Sequence, residues 1–172
     1  LFYLYGGEMF EHSIGPFFDE KSNILILGSF PSVKSREENF YYANKQNRFW
    51  KVLAQVFKDQ VPESESEKKD FLTAHRIALW DVIASCEILG SSDASIKNVT
   101  PSDISLILEN APIEKLVLNG KKAAQLFYRN QGSALPLRNC KAQVIEVYEL
   151  PSTSPANAAF SLDALEYYIK II

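Results

Sequence analysis

Four short apolar runs mark this chain, at 23–29, 77–84, 114–120 and 143–151, and a helical pattern occupies the stretch after each of them. The first run, ILILG between Asn23 and Ser29, is too short for a buried helix and lacks the polar alternation of a half-exposed strand. Runs of this length bounded by Gly, Asn or Pro suit strands buried on both faces. Strands alternating with helices predict βαβ units, and hence a parallel sheet covered by helices on both sides. In such sheets ligands bind outside the carboxyl ends of the strands. The segments that matter are therefore 28–47, 81–99, 119–122 and 150–157.

Between the strands the pattern changes period. Phe49, Trp50, Leu53, Ala54 and Phe57 recur at helical spacing after Asn47. Ser64 and Glu67 stand at capping-box spacing and predict a helix to about residue 76, with Phe71, Leu72 and His75 on one face. Residues 86–100 read as a long polar connection. Thr100 as N-cap with Pro101 at the first helical position predicts the next helix. Further helices are expected from Gly120 onward and over 156–170. No repeat or linker is visible, so one domain over 9–172 is expected. Residues 1–8, which precede the sole methionine Met9, read as a cloning remnant or an upstream extension.

Several functions are disfavoured. GxGxxG, Walker A and GxSxG patterns are absent, and neither His12 nor His75 follows a predicted strand, so a Ser–His–Asp relay is unsupported. Cys86 and Cys140 are too few and too isolated for a zinc site or an iron–sulfur cluster; no metal or cofactor is expected. They read as two buried free thiols in a reducing cytoplasm. No run approaches the roughly 20 apolar residues of a membrane span. The formal net charge of −3 disfavours nucleic-acid binding by bulk electrostatics, so any such contact must be local.

Two rim segments stand out. Residues 28–50, GSFPSVKSREENFYYANKQNRFW, offer aromatic and amide side chains; residues 150–157, LPSTSPAN, offer three hydroxyls between prolines. Together with ALWDVIASCEILGSSDASIKN and LVLNGKKA, they resemble the signature motifs of the uracil-DNA glycosylase superfamily, and most of all its deoxyinosine (hypoxanthine-DNA) branch. The resemblance implies a three-layer α/β/α sandwich around a four-stranded parallel sheet. It also implies a monomer that flips a deaminated base out of DNA and hydrolyses its N-glycosidic bond.

The resemblance also implies roles. Tyr42 would stack on the flipped base, or else pack within its loop. The backbone amides of Ser29 and Phe30 would face the base or its deoxyribose. Phe30 stands where many members carry a water-positioning Asp or Asn, and it cannot do that work. The polar role passes to Asn47, whose alternative role is to cap the following helix. Asn119 would donate to the departing base, or else form an Asn-Gly turn. Ser152, Thr153, Ser154 and Asn157 would grip phosphates, helped by the N-terminus of helix 156–170, or else form an N-cap cluster. Lys34, Arg36, Lys45, Arg48, Lys121 and Lys122 would form a local basic rim. The alternatives are a uracil or G·U/G·T mismatch glycosylase and a catalytically silent DNA-binding module.

Overall fold

The structure, a computed structural model, describes residues 8–172; residues 1–7 lie outside the described residues. Its elements run β1 (Glu8–Glu11), β2 (Ile24–Gly28), α1 (Val33–Glu38), α2 (Phe49–Phe57), α3 (Glu65–Ala74), β3 (Ile77–Asp81), β4 (Ile83–Ile88), β5 (Lys97–Pro101), α4 (Ser105–Leu108), β6 (Lys115–Asn119), α5 (Lys121–Gln131), β7 (Glu146–Leu150) and α6 (Leu162–Ile171). The main sheet has the order β3-β2-β6-β7, and all of its strands are parallel.

The continuous apolar strands follow from burial on both faces. Leu25 and Leu27 pack toward Ile107 of α4 and Leu126 and Phe127 of α5. The intervening Ile24 and Ile26 pack toward Leu53 of α2, Leu72 of α3 and Tyr168 of α6. Helices therefore cover both sides, giving the three layers expected. Gly28 pairs in register with Asp81, and Asn119 with Leu150. The four strand ends thus form one rim.

The structure departs from the sequence reading in several places. The second strand ends at Asp81 rather than Ala84, and β4 begins a separate antiparallel sheet of order β1-β4-β5. The stretch 86–100 is therefore largely structured. Its ladder slips register between Ile83 and Ser85 and again between Ser85 and Glu87, which breaks the alternation that would have revealed a strand. Thr100 and Pro101 belong to β5, opposite Ser85 and Ile83, so Thr100 caps no helix. The helix starts only at Ser105, whose N–H donates to the Asp103 carboxylate at 3.2 Å.

The last helix begins at Leu162, not near Ala156, because residues 152–157 are folded into a compact turn by tertiary partners described below. The fourth strand opens at Glu146. The Ser64–Glu67 capping box is present, and α3 ends at Ala74, two residues before Arg76 adopts a left-handed φ of 56°. Phe71 and Leu72 are buried, and the His75 ring lies 4.4 Å from that of Phe71. Glu8, set apart on sequence grounds, pairs with Ile88 in β1. Cys86 is buried, but Cys140 is exposed.

Candidate active site

A cavity of about 440 Å³ opens at the strand-end rim. This is within the range of small-ligand pockets, about 300–1,000 Å³. Gly28, Tyr42, Asp81 and Asn119 line it from the sheet side; Asn47, Asp93, Ser152 and Ser154 line it from the loops. All nine residues expected from the sequence converge near it, although Asn157 lines only an adjoining groove.

Tyr42 is held at φ 50°, a left-handed conformation unusual for a bulky residue and strained by on the order of 1–3 kcal/mol. Phe49 of α2 stacks on one face of its ring at a centroid distance of 3.6 Å. The ring remains half-buried and lines the cavity, which leaves its other face for a planar ligand. Burial, reinforced by the charge of Asp81, pushes its phenol well above the ordinary tyrosine range, so it stays neutral. The N–H groups of Ser29 and Phe30 find no acceptor among the described residues, while the Phe30 ring is buried against His12.

Asn119 is a structural hub. Its Nδ2 donates to the Tyr42 hydroxyl and to Thr153 Oγ1, both at 3.1 Å. Its Oδ1 accepts from the Thr153 N–H at 3.1 Å and the Tyr168 hydroxyl at 3.0 Å. Both amide protons are therefore engaged within the protein, and a base contact requires one of them to be exchanged. Thr153 is completely buried by the same bonds. Of the three hydroxyls, Ser152 and Ser154 are the ones open to a phosphate.

Asn47 stands one residue before Arg48, the N-cap of α2, and its Oδ1 accepts from the N–H of Phe49, the first helical residue, at 3.0 Å. Asn47 lines the cavity, and its Nδ2 has no protein acceptor among the described residues. The basic rim is smaller than expected. Arg48 donates to the carbonyls of Ser154 and Asn157 at 3.1 and 3.2 Å, and Asn157 Nδ2 donates to the Ser152 carbonyl at 2.9 Å. These bonds shape the turn that displaces the start of α6. Arg36 donates to the carbonyls of Pro31 and Gly90, and Lys34 pairs with Glu37 and Glu38. Lys45, Lys121 and Lys122 still reach solvent. The latter two line the adjoining groove, which shares Asp93, Ser152, Ser154 and Ala156 with the cavity.

Sequence reasoning missed three residues. Asp81, the last residue of β3, is only 4% exposed. Its Oδ2 accepts from His12 Nε2 at 2.7 Å. Its Oδ1 has no protein donor among the described residues and lies against Cα of Gly28, where any Cβ would collide with it. His12 follows β1, a strand that pairs only with β4, so nothing local in the sequence signals its place. Its Nδ1 is buried without a partner, so Nε2 is the ring nitrogen that donates to Asp81. Asp93 sits at the mouth with Oδ1 accepting from the Ser29 hydroxyl at 2.8 Å. Desolvation by the surrounding wall raises its carboxyl above the ordinary range, against the Ser29 bond and the charge of Lys122. Both acids lie in a segment already assigned to the rim by its place after a strand; the slipped ladder hid which residues face inward.

An aromatic shelf, buried acceptors and free backbone donors at the ends of parallel strands define a site for a planar heterocycle. The model of the uracil DNA glycosylase superfamily matches residues 16–172. A protein named hypoxanthine DNA glycosylase from Methanosarcina acetivorans is 36% identical over 145 residues, covering 83% of this chain and 85% of its own. One of the same name from Methanosarcina barkeri is 34% identical over 112 residues, covering 64% and 71%. The solution NMR structure of a candidate uracil DNA glycosylase from M. acetivorans superposes with a TM-score of 0.77 at 28% identity, covering 95% of this chain and 96% of that one. The chain belongs to the uracil DNA glycosylase superfamily.

Proposed function

We propose that this chain hydrolyses the C1′–N9 bond of deoxyinosine in DNA, releasing hypoxanthine. The observation that carries the reading is the buried Asp81 Oδ1, an acceptor without a protein partner at the floor of the cavity. Deamination of adenine converts N1 from an acceptor into an N–H donor. A carboxylate at the floor rewards that change and opposes the lone pair of adenine N1. A site built around such a bond can reject an analogue lacking it by about 10⁴-fold or more. The names of the two Methanosarcina relatives support the same substrate.

In this reading the open face of Tyr42 stacks on the extruded base, and the amides of Ser29 and Phe30 face the base or its deoxyribose. Ser152, Ser154 and the loop around Asn157 receive flanking phosphates beside Lys121 and Lys122. Asn119 and Thr153 brace the stacking residue against the phosphate loop, and Asn119 reaches the departing base only by exchanging a bond. Asn47 Nδ2 positions the attacking water. On the same reading the protein is a cytoplasmic monomer that uses no metal. Among the described residues there is no group of three metal-ligating side chains, and no helix is long and apolar enough to cross a membrane.

Duplexes carrying inosine, uracil, a G·T mismatch or adenine, incubated with the protein and then cleaved with alkali at abasic sites, test the reading. Inosine should give by far the most cleavage. Asp81→Asn should cut inosine excision by about 10²-fold or more and narrow the preference over adenine. Failure of the wild type to cleave any duplex refutes a glycosylase.

A further inference from the structure

Phe30, where many superfamily members carry a water-positioning Asp or Asn, leaves the hydrolysis without a polar group at that position. Water adding to C1′ must give up a proton, and an acceptor has to lie beside it. Asn47 cannot be that acceptor, because an amide is far too weak a base to take the proton, and its Oδ1 already accepts the Phe49 N–H. The side-chain acceptors still available in the cavity include two carboxylates. Asp81 is at the floor, against Gly28, where the far edge of a base would lie. Asp93 is at the mouth, where the cavity meets the groove lined by Lys121 and Lys122. A flipped nucleotide keeps its sugar at the mouth, because the sugar remains joined to the backbone.

We infer that Asp93, delivered from the β4–β5 connection and held by the Ser29 hydroxyl, is the catalytic carboxylate of this enzyme. The inference rests on the glycosylase reading above. Ser29 binds only Oδ1, and Oδ2 has no protein donor among the described residues. As the C1′–N9 bond breaks, its electron pair leaves with the base, and the negative carboxylate stabilises the positive charge developing on the sugar. The water oxygen, positioned by Asn47, then forms the C1′–O bond. Its proton passes to Asp93 Oδ2 and on to solvent, and the departing base anion takes a proton from solvent. Atoms and charge balance without a co-reactant. This carboxylate reaches the site from a different element than the one that Phe30 vacates.

The same geometry sets up a discriminating readout. A carboxylate beside a phosphate groove repels DNA, so removing its charge leaves binding equal or tighter while the chemical step slows. Its raised pKa also means that the fold disfavours the ionised form. The folded-state pKa lies above the unfolded one, so ionised Asp93 reduces stability at neutral pH, and the neutral variant is expected to be at least as stable as the wild type.

The experiment is single-turnover excision from an inosine duplex with saturating protein across pH 5–9, with DNA affinity by fluorescence anisotropy and a thermal melt. Asp93→Asn should lower the rate by about 10²-fold or more, the usual contribution of a general base. Affinity and melting temperature should not fall. Wild-type rate should drop as pH falls through the Asp93 pKa, and Asp93→Asn should lack that acid limb. Asp93→Ala, which removes the Ser29 contact as well, should show the same rate loss. A rate within threefold of wild type for either variant, or an acid limb retained in Asp93→Asn, overturns the assignment. A wild type inert on every duplex instead overturns the glycosylase reading itself.

Discussion

Asn119→Ala is the most informative single perturbation of the scaffold. The substitution removes four hydrogen bonds at once: two to Thr153, one to Tyr42 and one to Tyr168. Tyr168 keeps its bond to the Pro151 carbonyl at 2.8 Å, and Tyr42 lies on the cavity wall where water can replace the lost donor. The Thr153 N–H has no such recourse, because the residue is wholly buried. An orphaned buried donor costs about 1–3 kcal/mol, and the remaining bonds contribute about 0.5–1.5 kcal/mol each. A loss of roughly 3 kcal/mol is therefore expected. In a domain of this size that corresponds to a fall in melting temperature of roughly 6–12 °C. Excision should slow as well, since Tyr42 and the 151–157 loop lose their common anchor. Thermal denaturation followed by circular dichroism, with a single-turnover assay well below the transition, measures both. A variant that melts within 2 °C of wild type yet has lost excision would refute the bracing role and make Asn119 a direct contact to the base.

The other predictions concern Tyr42, the aromatic shelf of the first motif, and Asn47 beside it. Asn47→Ala should lose about 1 kcal/mol of stability from the missing bond to the Phe49 N–H and about 10²-fold in single-turnover rate from the missing donor. A destabilised but fully active variant would leave only that structural bond. Tyr42→Ala should weaken excision by about 5- to 150-fold, the equivalent of about 1–3 kcal/mol of base stacking, while phosphate-driven DNA affinity changes little; equal single-turnover rates for variant and wild type would make Tyr42 a packing residue.

The main sheet was legible because burial on both faces leaves a simple mark, an unbroken apolar run with turn residues at its ends. The capping box of α3 was legible for a similar reason, since it is a contact between residues three apart. Longer-range features were not. The β4–β5 pair carries two register slips, so its polar residues follow no fixed period and looked like loop. The start of α6 is set by Arg48, more than a hundred residues away in sequence, which holds the carbonyls of the preceding turn. His12 reached the site through a strand pairing that no local pattern encodes. In the site itself, motif resemblance pointed to Tyr42, Asn47, Asn119 and the serines that the structure places around the cavity. The two carboxylates were missed because the same resemblance directed attention to the position where Phe30 stands.

The Arg48 clasp has a consequence for how DNA is received. Its guanidinium joins the start of α2 to the loop at 152–157, so the shelf proposed for the base and the ledge proposed for the phosphates form a single body before any ligand arrives. The conformational entropy of ordering these loops is lost during folding rather than at encounter. The distortion needed to bring nucleotide and pocket together therefore falls on the duplex. Sites where the helix is already weakened, as at an inosine that pairs poorly with its partner, meet a rigid mould at the lowest energetic cost.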